Sequence, residues 1–318
     1  MTALIKATDL RRTYTAGRSQ WFRRSKNFHA VDGISVTIQR GETLGIVGES
    51  GCGKSTLAKL ITGLIQANNG SVLFDGTETT NLGDAAWRDL RRRIQMVYQD
   101  AAGSLDGRMT VRAQVEEPLH IHGLPLDAAE RALEAVGLAG PMAQRYPHEM
   151  SGGQLQRIVI ARALALEPEV LVLDEPVSAL DVSIQAQIVN LLVDLQRDRG
   201  LAYVFVSHDL GVVRHIADRI AVMYLGRIVE EAPKDAFYAG PLHPYSKALL
   251  AAVPKPDPSL RRTSAPRIGD PPNPVAPPAG CRFHTRCPLA TAQCQTEAPT
   301  LRAFGDRRAA CHLIEDVA

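Results

Sequence analysis

The sequence has no apolar run approaching the ~20 residues of a bilayer-spanning helix, so no segment reads as a membrane span. Its first residues, Met1-Thr-Ala-Leu-Ile-Lys6, lack the basic-then-apolar layout of a secretory signal. The expected location is therefore the cytosol, with docking on a membrane protein left open. Net charge is scarce too. Thirty-six Lys and Arg stand against 34 Asp and Glu, a formal +2 that gives no reason to expect nucleic acid as a partner. Cysteine is rare: five residues, one at position 52 and four crowded between 281 and 311. What is present is apolar content, 45% over 318 residues, enough for two or more cores.

One stretch organises the rest, Gly48-Glu49-Ser50-Gly51-Cys52-Gly53-Lys54-Ser55-Thr56. It follows a strand-like run, Thr43–Val47, and leads into a helix-like one, Leu57–Ile61. The glycines let the backbone turn sharply and present its N–H groups to an anion. Lys54 adds a point charge for β- and γ-phosphates, and the Ser55 hydroxyl a ligand for Mg²⁺. The start of the following helix adds its positive dipole end. With every position filled between strand and helix, the stretch reads as a triphosphate-binding loop rather than a surface turn. Cys52 lies in a tolerant position between two glycines and is assigned no chemistry.

Before the loop, Leu4–Leu10 and Ala30–Ile38 alternate as strands, flanking a basic insert, Ala16 to Asn27, with Trp21-Phe22 and Arg23-Arg24. Tyr14 is placed to stack on an adenine ring. After the loop, Ser71–Gly76 reads as strand and turn, Trp87–Arg93 as a basic helix with a solvated face, and Ile94–Tyr98 as a strand ending at Gln99. From Thr110 to Met150 apolar residues recur at helical spacing, as in an inserted helical subdomain. Met150-Ser151-Gly152-Gly153-Gln154 then opens a long helix, Leu155–Leu166, whose glycine-rich start is a second anion site.

Val170–Asp174 is continuously apolar until Asp174-Glu175, as a central parallel strand would be. Asp174 is placed to hold Mg²⁺, and Glu175 to orient and polarise an attacking water. A second such strand, Ala202–Ser207, ends at His208, a candidate γ-phosphate contact.

Together these residues resemble one family, the ATP-binding subunits of ABC transporters, over roughly residues 4 to 235. Tyr14 matches the adenine-stacking aromatic, Gly48–Thr56 the Walker A loop, Gln99 the Q-loop and Ser151–Gln154 the signature. Asp174-Glu175 matches the Walker B pair, Ser178–Asp181 the D-loop and His208 the switch histidine. Met150 stands where the family usually has leucine, a volume-conserving change. The resemblance implies an α/β, RecA-like P-loop NTPase core with an antiparallel β-subdomain and an inserted helical subdomain at about 100–155. It implies two subunits paired head to tail, each ATP lying between one Walker A loop and the partner's signature. Glu175 would be the base, Lys54 and His208 would steady the γ-phosphate, and Ser55, Gln99 and Asp174 would hold Mg²⁺.

The tail is similar to the C-terminal extension of oligopeptide/dipeptide importers, which nickel importers of the same group also carry. Its matching stretches are Pro241–Leu250, Gly269–Pro274 and Pro277-Pro-Ala-Gly-Cys281-Arg-Phe-His-Thr-Arg-Cys287-Pro. Residues 1–240 would then be the nucleotide-binding domain and 241–318 the extension. The N-terminal insert is more similar to the F-type ATPase of these systems. The resemblance implies a D-type ATPase as partner, two transmembrane permease subunits and an external substrate-binding protein. The chain would work at the cytoplasmic face of the inner membrane, importing di- or oligopeptides, or alternatively nickel or a glutathione-like solute. One departure is Asp100-Ala-Ala-Gly-Ser-Leu-Asp-Gly-Arg108, where the family runs Asp-Pro-x-x-Ser-Leu-Asn-Pro-Arg, near the groove for the permease. ABC ATPases of DNA repair would separate Walker A from signature by a long coiled coil. Only about 100 residues separate Gly48 from Ser151, without heptads. Translation-factor ATPases would carry two such domains.

Cys281, Cys287, Cys294 and Cys311 lie in a proline-rich, loop-like segment, where a cytosolic location disfavours disulfides. Four thiols in a core-poor segment read as metal ligands. Their spacings are wider than paired zinc knuckles and suit a [4Fe–4S] cluster better than zinc or free thiols. The cysteine pattern of some peptide-importer ATPases matches these positions. A structural role is expected.

Overall fold

The computed structural model describes residues 3–16, 26–80, 82–253 and 269–314. Trp21-Phe22 and Arg23-Arg24 lie outside the described residues. The chain opens with β1 (Ile5–Ala16), β2 (Lys26–Ile38), β3 (Thr43–Val47) and helix α1 (Lys54–Ile61). β4 (Asn69–Phe74) and β5 (Thr77–Glu78) join the first two strands in an antiparallel sheet, ordered β2-β1-β4-β5. The Trp87–Arg93 stretch falls in α2 (Asp84–Arg93), which leads into β6 (Ile94–Val97).

The inserted helical region contains α3 (Val111–His122), α4 (Asp127–Ala135) and the start of α5 (Gly152–Leu164). Thr110 caps α3 by accepting the Ala113 N–H, and Gly123, at φ +61°, ends it in the left-handed conformation that favours glycine. The core resumes with β7 (Val170–Asp174), α6 (Val182–Arg199), β8 (Ala202–Ser207), α7 (Leu210–Ile216), β9 (Arg219–Tyr224) and β10 (Arg227–Pro233). α8 (Lys234–Ala239) follows, and the extension adds α9 (Pro244–Ala252), α10 (Ala292–Thr296), β11 (Arg302–Phe304) and β12 (Arg307–Ala309).

The large sheet runs β11-β12-β10-β9-β3-β8-β7-β6. Its five core strands, β6, β7, β8, β3 and β9, are parallel, which places their carboxyl ends along one edge. Both faces are covered, so these strands carry no polar alternation. Val170, Val172, Val204 and Val206 face the core shared with the antiparallel sheet and α1, while Leu171, Leu173, Tyr203 and Phe205 face the core beneath the helices.

The extension is more ordered than its proline-rich composition predicts. β12 pairs antiparallel with β10 and prolongs the main sheet. Phe283, only 1% exposed, packs edge-on against Tyr224 of β9 and tilted against Tyr245 and His243. Arg282 pairs with Asp32 of β2, which also holds Arg11 and Arg227. Burial alone would raise the Asp32 pKa, but Arg227, Arg282 and Arg11 together hold it below the usual carboxylate range.

Candidate functional site

The loop at the end of β3 is built for close backbone approach. Gly48 sits at φ +153°, and a Cβ there would fall 2.2 Å from the Met223 carbonyl oxygen. At Gly53, φ +107°, a Cβ would fall 2.0 Å from that of Ala30. No other residue fits either position without moving backbone. Cys52 is buried between them, and its burial pushes the thiol pKa up, which suits a packing role.

Lys54, 4% exposed at the first turn of α1, donates from Nζ to the carbonyls of Gly48 (2.9 Å) and Glu49 (3.1 Å). Its ammonium is also 3.9 Å from Glu175 Oε1. The Ser55 hydroxyl donates to Asp174 Oδ1 at 2.9 Å, joining the start of α1 to the end of β7. These two oxygens form a hard-donor pair suited to Mg²⁺. Burial, and secondarily the neighbouring Glu175, raises the Asp174 pKa, so a cation would find a carboxylate whose charge is under-compensated.

Glu175 occupies a left-handed conformation, φ +48°, rare for a side chain of its size and worth roughly 1–3 kcal/mol of strain. Its N–H donates to the Val206 carbonyl of β8, which holds the turn. Its carboxylate receives a bond from Gln99 Nε2 at 3.3 Å and lies 3.2 Å from His208 Nδ1. Gln99 reaches Ser178 Oγ as well, at 3.4 Å. His208 follows β8, and Asp209 caps the next helix by accepting the Gly211 and Val212 N–H groups. Ends of β3, β6, β7 and β8 thus bring Lys54, Ser55, Gln99, Asp174, Glu175 and His208 into one polar group.

Ser151–Gln154 stands apart, with no hydrogen bond to that group among the described residues. It closes on itself as a capping box: Ser151 Oγ accepts the Gln154 N–H, and Gln154 Oε1 accepts the Ser151 N–H at 2.9 Å. The Gly152 and Gly153 N–H groups lie outside this cap. Gly153 packs against α6, where a Cβ would meet Ile184 Cγ2 at 2.5 Å. Tyr14 is also outside the polar group. Its ring lies 5.9 Å from Phe28, and the Arg12 guanidinium sits 5.0 Å from its centroid. After Gln99, Asp100 accepts the Gly103 N–H, and the Arg108 hydrogen bond lowers the Asp106 pKa to about 2.

Nothing in the sequence flags two extension residues that grip Glu49. Its N–H donates to the Tyr245 hydroxyl at 2.9 Å, and its carboxylate receives both Arg286 nitrogens, at 2.8 and 2.9 Å. Residues 196 and 237 positions apart meet here, which local patterns do not reveal.

The four extension thiols are all free. Burial raises the pKa of Cys281, Cys287 and Cys311, and each of these thiols also senses Cys294. The Cys281 N–H donates to the Cys294 carbonyl at 2.8 Å, which ties two of the four positions together. Among the described residues, no group of three or more His, Cys, Asp or Glu side chains is arranged to hold a metal ion, so the expected [4Fe–4S] cluster finds no support in this side-chain geometry.

Comparison with known proteins fits this geometry. A family profile described as "ABC transporter" matches residues 31–178, and one described as "Oligopeptide/dipeptide transporter, C-terminal region" matches residues 229–294. The oligopeptide transport ATP-binding protein OppF of Salmonella typhimurium is 49% identical over 92% of this chain and 90% of its own length. The di/tripeptide transport ATP-binding protein DppF of Pseudomonas aeruginosa is 47% identical over 99% of each chain. Among solved structures, the dimeric ATP-binding cassette MJ0796 in a post-hydrolysis state with ADP and Pi is 30% identical, with TM-score 0.63 over 72% of this chain and 98% of that one. The chain belongs to the ATP-binding subunits of the oligopeptide/dipeptide ABC transporters. It is thus an ABC-type ATPase, of a kind that pairs with another ATP-binding subunit and works on membrane permeases. Among the described residues no helix is long and apolar enough to cross a membrane.

Proposed function

We propose that this subunit powers import of di- and oligopeptides by in-line hydrolysis of ATP in a site completed by its partner. The carrying observation is Glu175, whose carboxylate is bonded by Gln99, adjoins His208 and lies 3.9 Å from Lys54. In this reading Glu175 takes the proton of the attacking water as its oxygen bonds to the γ-phosphorus, and the bond to the ADP oxygen breaks. Lys54 exchanges its two carbonyl partners for β- and γ-phosphate oxygens, and His208 steadies the γ-phosphate. Ser55, Gln99 and Asp174 would hold Mg²⁺, which when bound would supply neutralisation of developing charge. Gly48, Ser50, Gly51, Cys52, Gly53 and Thr56 wrap the phosphates with backbone N–H groups, Glu49 belongs to the same loop with its own N–H held by Tyr245, and Tyr14 stacks on adenine. Ser151, Gly152, Gly153 and Gln154 close the partner's site rather than this one. Their self-contained cap, with Gly152 and Gly153 N–H groups left over, supports that division.

Residues 1–240, with the helical insert at about 100–155, form the nucleotide-binding unit in this reading, and 241–318 the extension. The partner is a D-type ATPase. Two permease subunits and an external binding protein complete the complex at the cytoplasmic face of the inner membrane, with no role for nucleic acid. Cys281, Cys287, Cys294 and Cys311 hold a [4Fe–4S] cluster that cross-links the extension. The sequence spacing of the four thiols, wider than paired zinc knuckles, and the bond from the Cys281 N–H to the Cys294 carbonyl support this reading. Brown colour with absorption near about 400 nm in anaerobically purified protein is the expected result. Colourless protein with stoichiometric zinc overturns it.

The test of the catalytic reading is Glu175→Gln. The variant is expected to bind MgATP and pair on it, with turnover lowered about 10²- to 10⁴-fold. Near-normal hydrolysis would remove Glu175 from its role.

A further inference from the structure

Within Gly48–Thr56 the only acid is Glu49, the residue after the first loop glycine. A carboxylate in a loop that receives a polyphosphate works against binding unless its charge is cancelled. The cancelling group is not in the nucleotide-binding half. Arg286, in the short turn His284–Arg286 between Cys281 and Cys287, meets both Glu49 oxygens with two nitrogens, at 2.8 and 2.9 Å. The arginine side chain is 6% exposed and the glutamate 29%, so water screens the pair weakly. Arg286 is held from behind by aromatic rings, its guanidinium 5.7 Å from the Tyr224 centroid and 5.8 Å from that of Phe283, and it donates to the Tyr224 hydroxyl at 3.3 Å. Tyr245 fixes the backbone of the same loop residue. Two extension residues therefore grip one loop residue, one at its main chain and one at its charge.

We infer that Arg286 is a positioning residue of the phosphate loop, which neutralises Glu49 so that the loop presents a net positive field to MgATP. The extension thereby sets the nucleotide affinity of a site to which it contributes no ligand. This rests on reading Gly48–Thr56 as the phosphate loop.

The experiment measures MgATP binding by calorimetry on the full chain at two salt concentrations. Arg286→Gln is expected to weaken binding about tenfold, the scale of one charge-assisted pair. Adding Glu49→Gln should restore it to within about threefold, because the uncancelled charge is then gone. Glu49→Gln alone leaves a free cation beside the loop and should tighten binding a few-fold, less so at high salt. A merely mechanical tie predicts otherwise. Both single variants would then weaken binding, and the double variant would stay as weak as Arg286→Gln. Either result, or wild-type affinity in Arg286→Gln, overturns the inference. Should Arg286→Gln fail to fold, Glu49→Gln alone decides by its sign. Lys54→Ala serves as control: unchanged binding there would overturn the phosphate-loop reading itself, a separate failure.

Discussion

The strand-end polar group and the C-terminal extension are held in opposite ways. The first is a set of short polar side chains on the ends of parallel strands, tied by bonds such as Ser55 to Asp174 and Gln99 to Glu175. Its positions are dictated by the sheet, and its members spend little on stability. The second has little regular structure and relies on a few deep anchors, Phe283, Tyr245 and His243, inserted beside Tyr224. The comparison teaches that chemistry and cohesion are carried by different residues here. Groups that must exchange partners during turnover sit on a rigid edge, and groups that must never move are aromatic and buried.

That contrast has consequences of graded size. Phe283→Ala should cost about 3–5 kcal/mol, the range for a buried aromatic, in denaturant unfolding. The extension should become protease-sensitive before the sheet does. A loss below 1 kcal/mol would break the contrast. Next comes pH. His243 is buried, and burial lowers its pKa to about 4 from 6.5. Its Nδ1 accepts the Tyr245 N–H, so the proton of the neutral ring sits on Nε2. Glu230 accepts the His243 N–H, and the charge of Lys247 also lowers the His243 pKa. Between pH 6.5 and 4 the unfolded chain binds a proton that the folded one refuses. Stability is therefore fully present above 6.5 and falls with pH, by up to about 3 kcal/mol. A His243→Asn variant should lack that slope in pH-dependent melting. Smallest is Ser55→Ala, which removes one hydrogen bond and should cost about 1 kcal/mol or less. Metal-dependent turnover should collapse nonetheless. A large stability loss with turnover retained would reverse the assignment of roles.

Most of the strand-end group was legible because its chemistry lies in contiguous stretches. Gly48–Thr56 and Asp174-Glu175 announce themselves by type and order, and the apolar runs before them place both at strand ends. Gln99 and His208 are single residues, and only the strands preceding them gave them meaning. The helical insert followed from periodicity and most strands up to β8 from alternation or apolar runs, whereas β5, β9 and β10 were not read from the sequence. The extension did not. β11 and β12 span three residues each, too short for any alternation to register, and they contain arginines that also suit a solvated turn. The grip on Glu49 joins residues far apart in sequence, and no local pattern encodes a pairing of that range. The thiols were visible as a count, whereas their mutual proximity depends on how Phe283 and Arg282 dock.

The ion pair between Glu49 and Arg286 also has a place in time. A ribosome delivers Glu49 early and Arg286 only 237 residues later. At about 5–20 residues per second, that interval lasts roughly 12–47 seconds. Throughout it the nascent chain carries a loop whose acid has no counter-charge, even after every sheet strand through β10 has been made. A product cut short between residues 233 and 286 would keep the loop, both carboxylates at the strand end and the helical insert, yet lack the cation beside them. Synthesis through residue 286 is thereby written into the loop as a condition, and a late stretch of the message reports on an early one.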